Sequence, residues 1–174
     1  MNGEISVFKN PAIIGYLTKT MANEYPGKQV GKTIIQKMIF LLVANGTFKF
    51  HYSMFHYGPF SSEVAGELDY AENLHLVNIA WEDNKGYFIS PGENINTFEH
   101  LLGETEKEKI DQAVKDYGTL SAVDISILAT SIFLKTRFNT PEEELPGVIQ
   151  SIKPKYSIEY IRDIISKYSP GAVH

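Results

Sequence analysis

Apolar residues recur at helical spacing in two segments near the start of the chain. In residues 11–25 one face collects Ile13, Ile14, Leu17 and Met21, which predicts an amphipathic helix. Pro11 is expected in the first turn of this helix, where a proline costs no hydrogen bond. Residues 31–44 predict a second helix, with a broad apolar stripe formed by Ile34, Ile35, Met38, Ile39, Leu41 and Leu42. The predicted ends of the two helices are Pro26-Gly27 and Asn45-Gly46.

The pattern changes in the aromatic-rich stretch that follows. Residues 48–56 alternate, with Phe48, Phe50 and Tyr52 on one side, which predicts a strand that Gly58-Pro59 breaks. Residues 62–75 predict a third helix, capped by Ser61 or Ser62, with an inner face of Val64, Ala65, Leu68 and Leu74 or His75. Residues 76–81 and 87–90, around a polar tip, predict a β-hairpin. Helix, helix, strand, helix, hairpin is the order of a winged helix-turn-helix.

Beyond residue 91 the chain is helical again, with four helix starts that can be predicted from capping residues. These are Thr105 with Glu108, Ser121 with Asp124, Thr140 with Pro141, and Ser157. We therefore predict an α+β, mostly helical fold. A winged-helix-like half covers residues 1–92 and a helical half covers residues 93–174, and the two are expected to pack as one domain.

Composition narrows the class of protein. Hydrophobic residues make up 43% and charged residues 21% of 174 residues, as in ordinary globular proteins. No apolar run approaches the roughly 18 residues of a membrane span. The first ten residues lack a signal-peptide pattern, so we expect a cytoplasmic protein. The absence of cysteine excludes disulfides, thiolate catalysis and cysteine-ligated zinc.

The string Gly31-Lys32-Thr33 resembles the end of a phosphate-binding loop. That loop requires a glycine at position 26, where this chain has Pro26, and it should follow a buried strand instead of a helix. Proline also removes one of the backbone amides that would wrap a phosphate. The string is therefore interpreted as a turn and a helix start, and no cofactor is expected.

Metal-binding and nucleophilic sites are also not indicated. His51 and His56 are five residues apart on the predicted strand and therefore lie on opposite faces, while His75 and His100 have no ligand at suitable spacing. No Gly-x-Ser-x-Gly elbow occurs. We predict a non-enzymatic protein without a metal.

Charge is unevenly distributed along the chain. Residues 1–49 carry six Lys against two Glu, whereas no basic residue lies between Lys49 and Lys85. That interval contains six acidic residues: Glu63, Glu67, Asp69, Glu72, Glu82 and Asp83. We expect the third helix to expose Glu63, Glu67, Asp69 and Glu72 to solvent. In a DNA-reading winged helix the third helix enters the major groove, where these carboxylates would meet phosphates. DNA binding would then have to use the basic surface around Lys19, Lys28 and Lys32.

Two strings together resemble a known family. The second helix reads Gln36-Lys37-Met38-Ile39-Phe40-Leu41, and the end of the predicted strand reads Tyr57-Gly58-Pro59-Phe60-Ser61-Ser62-Glu63. This pairing resembles the Panacea antitoxin-domain superfamily and, more closely, a related group of uncharacterised bacterial and archaeal proteins. Leu120-Ser121, Leu128-Ala129-Thr130 and Ile152-Lys153-Pro154 with Tyr156-Ser157 extend the resemblance over residues 11–168. The resemblance implies a mostly helical fold without known catalysis, and the better-studied relatives neutralise a toxin through protein contact.

These observations define a set of candidate interaction residues: Gln36, Lys37, Phe40, His56, Tyr57, Gly58, Pro59, Phe60 and Glu63. Lys37 lies among apolar residues, so its ammonium needs a partner, and Glu63 is the expected one. Phe55, Tyr57 and Phe60 are expected to be exposed aromatic anchors. The motif residues either fasten the helix to the turn or bind a partner directly. The favoured hypothesis is a protein-interaction or regulatory module, in an antitoxin-like role with a toxin as partner, and the alternative is a winged-helix DNA-binding transcriptional regulator.

Overall fold

The computed structural model describes the backbone from residue 2 to residue 169 and the side chains from residue 7. Within that range the chain forms eight α-helices: α1 Asn2–Glu24, α2 Lys32–Ala44, α3 Ser62–Asn73, α4 Ile95–Phe98, α5 Glu104–Tyr117, α6 Ala122–Phe138, α7 Leu145–Ile152 and α8 Ile158–Tyr168. Two antiparallel hairpins are made of β1 Ser53–Phe55 with β2 Gly58–Phe60, and β3 Val77–Glu82 with β4 Gly86–Pro91. The predicted α+β, mostly helical class is confirmed. Residue 1 of the predicted first half and residues 170–174 of the second lie outside the described residues.

The first two helices bury the apolar faces that their spacing predicts, and all the residues named above for those faces are buried. The prediction for Pro11 is wrong, because α1 begins nine residues earlier, at Asn2, and Pro11 lies inside it. Proline there removes one helical hydrogen bond. Packing of α1 against α3 and α5 offsets that loss, and tertiary contacts of this kind commonly outweigh local preference.

The aromatic segment forms a hairpin in place of the predicted strand over residues 48–56. Phe48, Phe50 and Tyr52 are buried as expected, but strand pairing begins only at Ser53. Ser53 pairs with Phe60, Met54 with Pro59 and Phe55 with Gly58. The Gly58-Pro59 pair therefore belongs to β2 and does not end the β-structure, because the chain reverses one step earlier, at His56 and Tyr57.

The second hairpin, which we call the wing, forms as predicted. Its six residue pairs run from Val77 opposite Pro91 to Glu82 opposite Gly86. The amide of Ile89 donates to the carbonyl of Val30 at 2.8 Å and so ties the wing to the segment before α2. The element order is therefore helix, helix, hairpin, helix, hairpin, with a hairpin where a single strand was expected.

Three of the predicted caps are confirmed. The hydroxyls of Ser61, Ser121 and Ser157 each accept a bond from the amide three residues later. The Thr105 and Glu108 box is wrong, because Glu106 instead accepts from the amide of Gly103 at 2.9 Å, and its ion pair with Lys9 of α1 favours that register.

The predicted cap at Thr140 is wrong as well. The amide of Thr140 donates to Leu134 and so closes α6 instead of opening a new helix. After Pro141 the chain makes a 3₁₀ turn over Glu142–Glu144, and α7 begins at Leu145. The predicted helix start is therefore displaced by several residues.

One cluster of buried apolar side chains includes residues from both halves of the chain. Helix α6 contributes an unbroken buried run from Ile125 to Leu134 and packs on α2, α7, α8 and β2. In the described residues no single helix has the length and apolarity of a membrane span. Helices α5 and α6 have that length and apolarity only as a pair, and the two helices are bent by 116° where they meet. The first hairpin is seated where α2 and α6 meet.

Candidate functional site

Gln36 of α2 holds the end of the first hairpin through its side-chain amide. Its Nε2 donates to the carbonyl of Ser61 at 2.8 Å, and its Oε1 accepts from the amide of Ser61 at 3.0 Å. The Ser61 hydroxyl in turn accepts from the amide of Val64 and so caps α3. Because Gln36 is only 5% exposed, these bonds form away from water, where an unmade partner is costly. One side chain therefore fixes both where β2 ends and where α3 begins.

Lys37 does not pair with Glu63, so that prediction is wrong. Its Nζ donates to the carbonyl of Pro59 at 2.9 Å, whereas a Glu63 carboxylate oxygen accepts from the amide of His51 at 3.1 Å. Lys37 is 2% exposed, and this burial lowers its pKa to about 8, with the charge of Lys153 as a second cause. A buried ammonium without a carboxylate partner explains the direction of the shift.

Phe40 belongs to the core beneath the hairpin. Its ring meets Tyr52 edge-on at 5.2 Å between centroids and lies 6.1 Å from Phe133 of α6. The Tyr52 hydroxyl donates to the carbonyl of Gln36 at 2.8 Å. Since both Phe40 and Tyr52 are buried, Phe40 supports the site from below.

Gly58 is the point at which the hairpin rests on α6. Its φ of 101° is a conformation that favours glycine. A Cβ at this position would lie 2.6 Å from the Thr130 Oγ1 and 3.3 Å from the Ser126 carbonyl oxygen. Ser126 and Thr130 were not predicted at the site. The one sequence signal that includes either of them is the Leu128-Ala129-Thr130 string of the resemblance.

The tip of the hairpin is exposed. Phe55 is 54% and Tyr57 is 75% accessible to solvent, and His56 between them is also exposed. Phe60, expected to be a third exposed anchor, is half-buried because its ring packs edge-on against Phe55 at 5.2 Å between centroids. Of the candidate residues, Gln36, Lys37, Phe40, Gly58 and Pro59 are buried, Phe60 is half-buried, and His56, Tyr57 and Glu63 are exposed. Together with the exposed neighbour Phe55, His56 and Tyr57 form what we call the aromatic tip.

The basic N-terminal surface is largely engaged in internal contacts. Lys19 forms an ion pair with Glu99 at 2.7 Å and also donates to Asn96. Lys28 donates to two backbone carbonyls before α6, and burial lowers its pKa. The ammonium of Lys32 lies 4.1 Å from the centre of the Tyr87 ring of the wing. These contacts use cations that DNA binding would need.

The acidic third helix is less exposed than its sequence indicates. Glu63 and Asp69 are exposed, but Glu67 and Glu72 are half-buried, which corrects the expectation that all four face solvent. Burial raises the pKa of Glu67. The outer face of α3 therefore carries two exposed carboxylates, those of Glu63 and Asp69.

A groove of about 1050 Å³ lies between α5, α6 and α8, away from the hairpin. Ala113, Ile132 and Leu145 contribute apolar wall, and Arg162 and Glu143 stand at its edge. No motif in the sequence indicates this groove. Because charges of both signs surround it, its electrostatics favour neither an anionic nor a cationic ligand.

Among residues 7–169 no group of three or more His, Asp or Glu side chains is placed to hold a metal ion. The first hairpin is instead held at its base by buried hydrogen bonds and carries exposed aromatic rings at its tip. Comparisons of the chain with protein-family models, with curated proteins and with solved structures find no match.

Proposed function

We propose that the chain is a non-enzymatic protein-interaction or regulatory module that binds a partner protein through the aromatic tip. The observation that carries this proposal is the exposure of Phe55 and Tyr57 on a hairpin whose base is fixed by buried hydrogen bonds. Tyrosine and other aromatic side chains dominate the energetics of protein interfaces. Exposing these apolar rings to water is unfavourable, and a pocket on a partner protein would bury them.

The fixed base supports the same role. A hairpin with three residue pairs is marginal by itself, so its shape depends on Gln36, Lys37 and the surface of α6. A surface held in its binding shape loses less conformational entropy on association. In the antitoxin-like role that the resemblance implies, the partner would be a toxin.

The DNA-binding alternative receives less support. The cations of Lys19 and Lys28 are used inside the fold, and Glu63 and Asp69 present negative charge on α3. Phosphate contacts supply most of the affinity of nonspecific DNA binding, and this surface offers few free cations for them.

The test is affinity capture with the wild-type chain and a Phe55→Ala, Tyr57→Ala double variant. Both positions are exposed, so the variant should keep its fold, which circular dichroism and thermal melting check. The matched control is Trp81→Ala, which removes a side chain 61% exposed on the wing. We expect a protein retained by the wild type and by Trp81→Ala, and lost by the double variant.

The capture experiment can also contradict the proposal. A partner retained equally by all three proteins would place the interface elsewhere. Recovery mainly of nucleic acid, released by moderate salt, would favour the DNA-binding alternative.

A further inference from the structure

We infer that the partner of the aromatic tip is a protein with a basic surface, which contacts the outer face of α3 while it receives Phe55 and Tyr57. This inference rests on the proposed function, and adds the chemistry of the partner. It follows from the position of α3, from the charge around it and from one residue on its outer face.

Helix α3 begins at the foot of the hairpin. Ser61 ends β2 and caps α3, and Glu63 in the first turn is bonded to the amide of His51, just before β1. The first turn of α3 therefore lies at the foot of the hairpin, and in the inferred complex one partner covers both the tip and this turn. Glu63, Gly66 and Asp69 lie three residues apart along the exposed side, opposite the buried Val64 and Leu68.

Charge in this part of the chain has one sign. From residue 50 to residue 84 there is no Lys or Arg, and the exposed carboxylates of α3 are Glu63 and Asp69. Neither forms an ion pair with a Lys, Arg or His among the described side chains. Complementary potential across an interface steers association and selects partners, so this face favours a basic protein. The same charge repels nucleic acid, and a second copy of a chain with net charge −5 is also disfavoured.

Gly66 adds a steric observation. A Cβ at this position would meet nothing within 4 Å, so no contact inside the chain requires glycine. Glycine in the middle of an exposed helix is less stable than alanine, so its presence here is a cost to the helix. A bare helix surface between two carboxylates allows the backbone of a partner to approach closely.

The experiment selects ligands from a random twelve-residue peptide display library against the 174-residue chain. Peptides that also bind the Phe55→Ala, Tyr57→Ala variant are removed. We expect the remaining peptides to combine Lys or Arg with apolar residues. Their dissociation constants, measured by fluorescence anisotropy, should rise about fivefold between 50 and 300 mM NaCl.

Three variants test the path along α3. Asp69→Lys should weaken these peptides by about three- to tenfold, because an attraction becomes a repulsion. Gly66→Gln should weaken them comparably by blocking approach, while its melting temperature stays the same or rises. The control Glu108→Lys makes the same charge change at an exposed site on α5 and should leave binding unchanged.

The possible failures are distinguishable. Selection of neutral or acidic peptides that depend on Tyr57 would overturn the inference of a basic partner. Basic peptides that bind Asp69→Lys and Gly66→Gln as tightly as wild type would overturn it too. In both cases the aromatic tip would remain the binding surface. Equal weakening by Glu108→Lys would reduce the effect to net charge and would also overturn it. A library that yields no peptide dependent on Phe55 and Tyr57 would overturn the proposed function itself.

Discussion

Replacing Lys37 with methionine should change how the stability of the protein depends on pH. The native pKa of Lys37 is lowered to about 8, against 10.5 for the unperturbed side chain expected in the unfolded chain. Between these values the unfolded chain holds a proton that the native state has released. By linkage, this makes the wild-type free energy of unfolding rise with pH through the window, and the variant lacks that contribution.

The expected magnitude follows from the width of the window. It spans roughly 2.5 pH units, so at about 1.36 kcal/mol per unit the wild type gains about 3 kcal/mol relative to Lys37→Met between pH 8 and pH 10.5. Below pH 8 Lys37 is protonated in both states, and the difference should be constant. The variant also leaves the Pro59 carbonyl without its donor, an added cost of about 1–3 kcal/mol that does not depend on pH.

Urea unfolding of both proteins, followed by circular dichroism at pH 7, 8, 9 and 10, measures this difference. Tyrosine ionisation affects both proteins equally and cancels in the subtraction. A carboxylate partner such as Glu63 would raise the pKa of Lys37, and the advantage of the wild type would then be lost as pH rises. A difference that is flat or falls above pH 8 would therefore refute the reasoning.

Other substitutions test the hairpin base and the tip. Gly58→Ala should lower the free energy of unfolding by about 2–4 kcal/mol in urea titrations, because its positive φ and the nearby α6 leave no room for a Cβ. Gly66→Ala, the matched control, should raise it by about 0.5–1 kcal/mol. Gln36→Leu should cost about 2–4 kcal/mol in the same titrations, since a backbone amide and carbonyl lose their partners. Tyr57→Ser should change the melting temperature little and reduce partner binding by at least about tenfold in anisotropy titrations.

Helical periodicity was sufficient to predict the buried faces of α1 and α2. Ile13 and Leu17 are four residues apart, and Ile35 and Met38 are three apart. An α-helix brings residues at these spacings to one side, and all four are buried. The first hairpin could not be predicted in the same way. Strands of three residues show no alternation long enough to recognise, and Gly58-Pro59 is usual for a break.

The hydrogen-bond and ion-pair partners inside the fold could not be predicted from the sequence either. Lys37 donates to the carbonyl of Pro59, and a backbone carbonyl has no sequence signature, whereas Glu63 has an obvious one. Gly103 with Glu106 and Thr105 with Glu108 offer two possible starts for α5, and the choice depends on Lys9, which is distant in sequence. Phe55, Tyr57 and Phe60 were all predicted to be exposed, but Phe60 is half-buried, because its ring packs against Phe55.

The double contact between Gln36 and Ser61 has a mechanical consequence. A load applied at the tip passes along β2 to Ser61 and from there, through one buried side chain, into the centre of α2. Because the same serine caps α3, the end of β2 and the start of that helix are both held at one residue. The tip should therefore behave as a stiff lever on a core helix, and pulling it away would disturb α2 and α3 together.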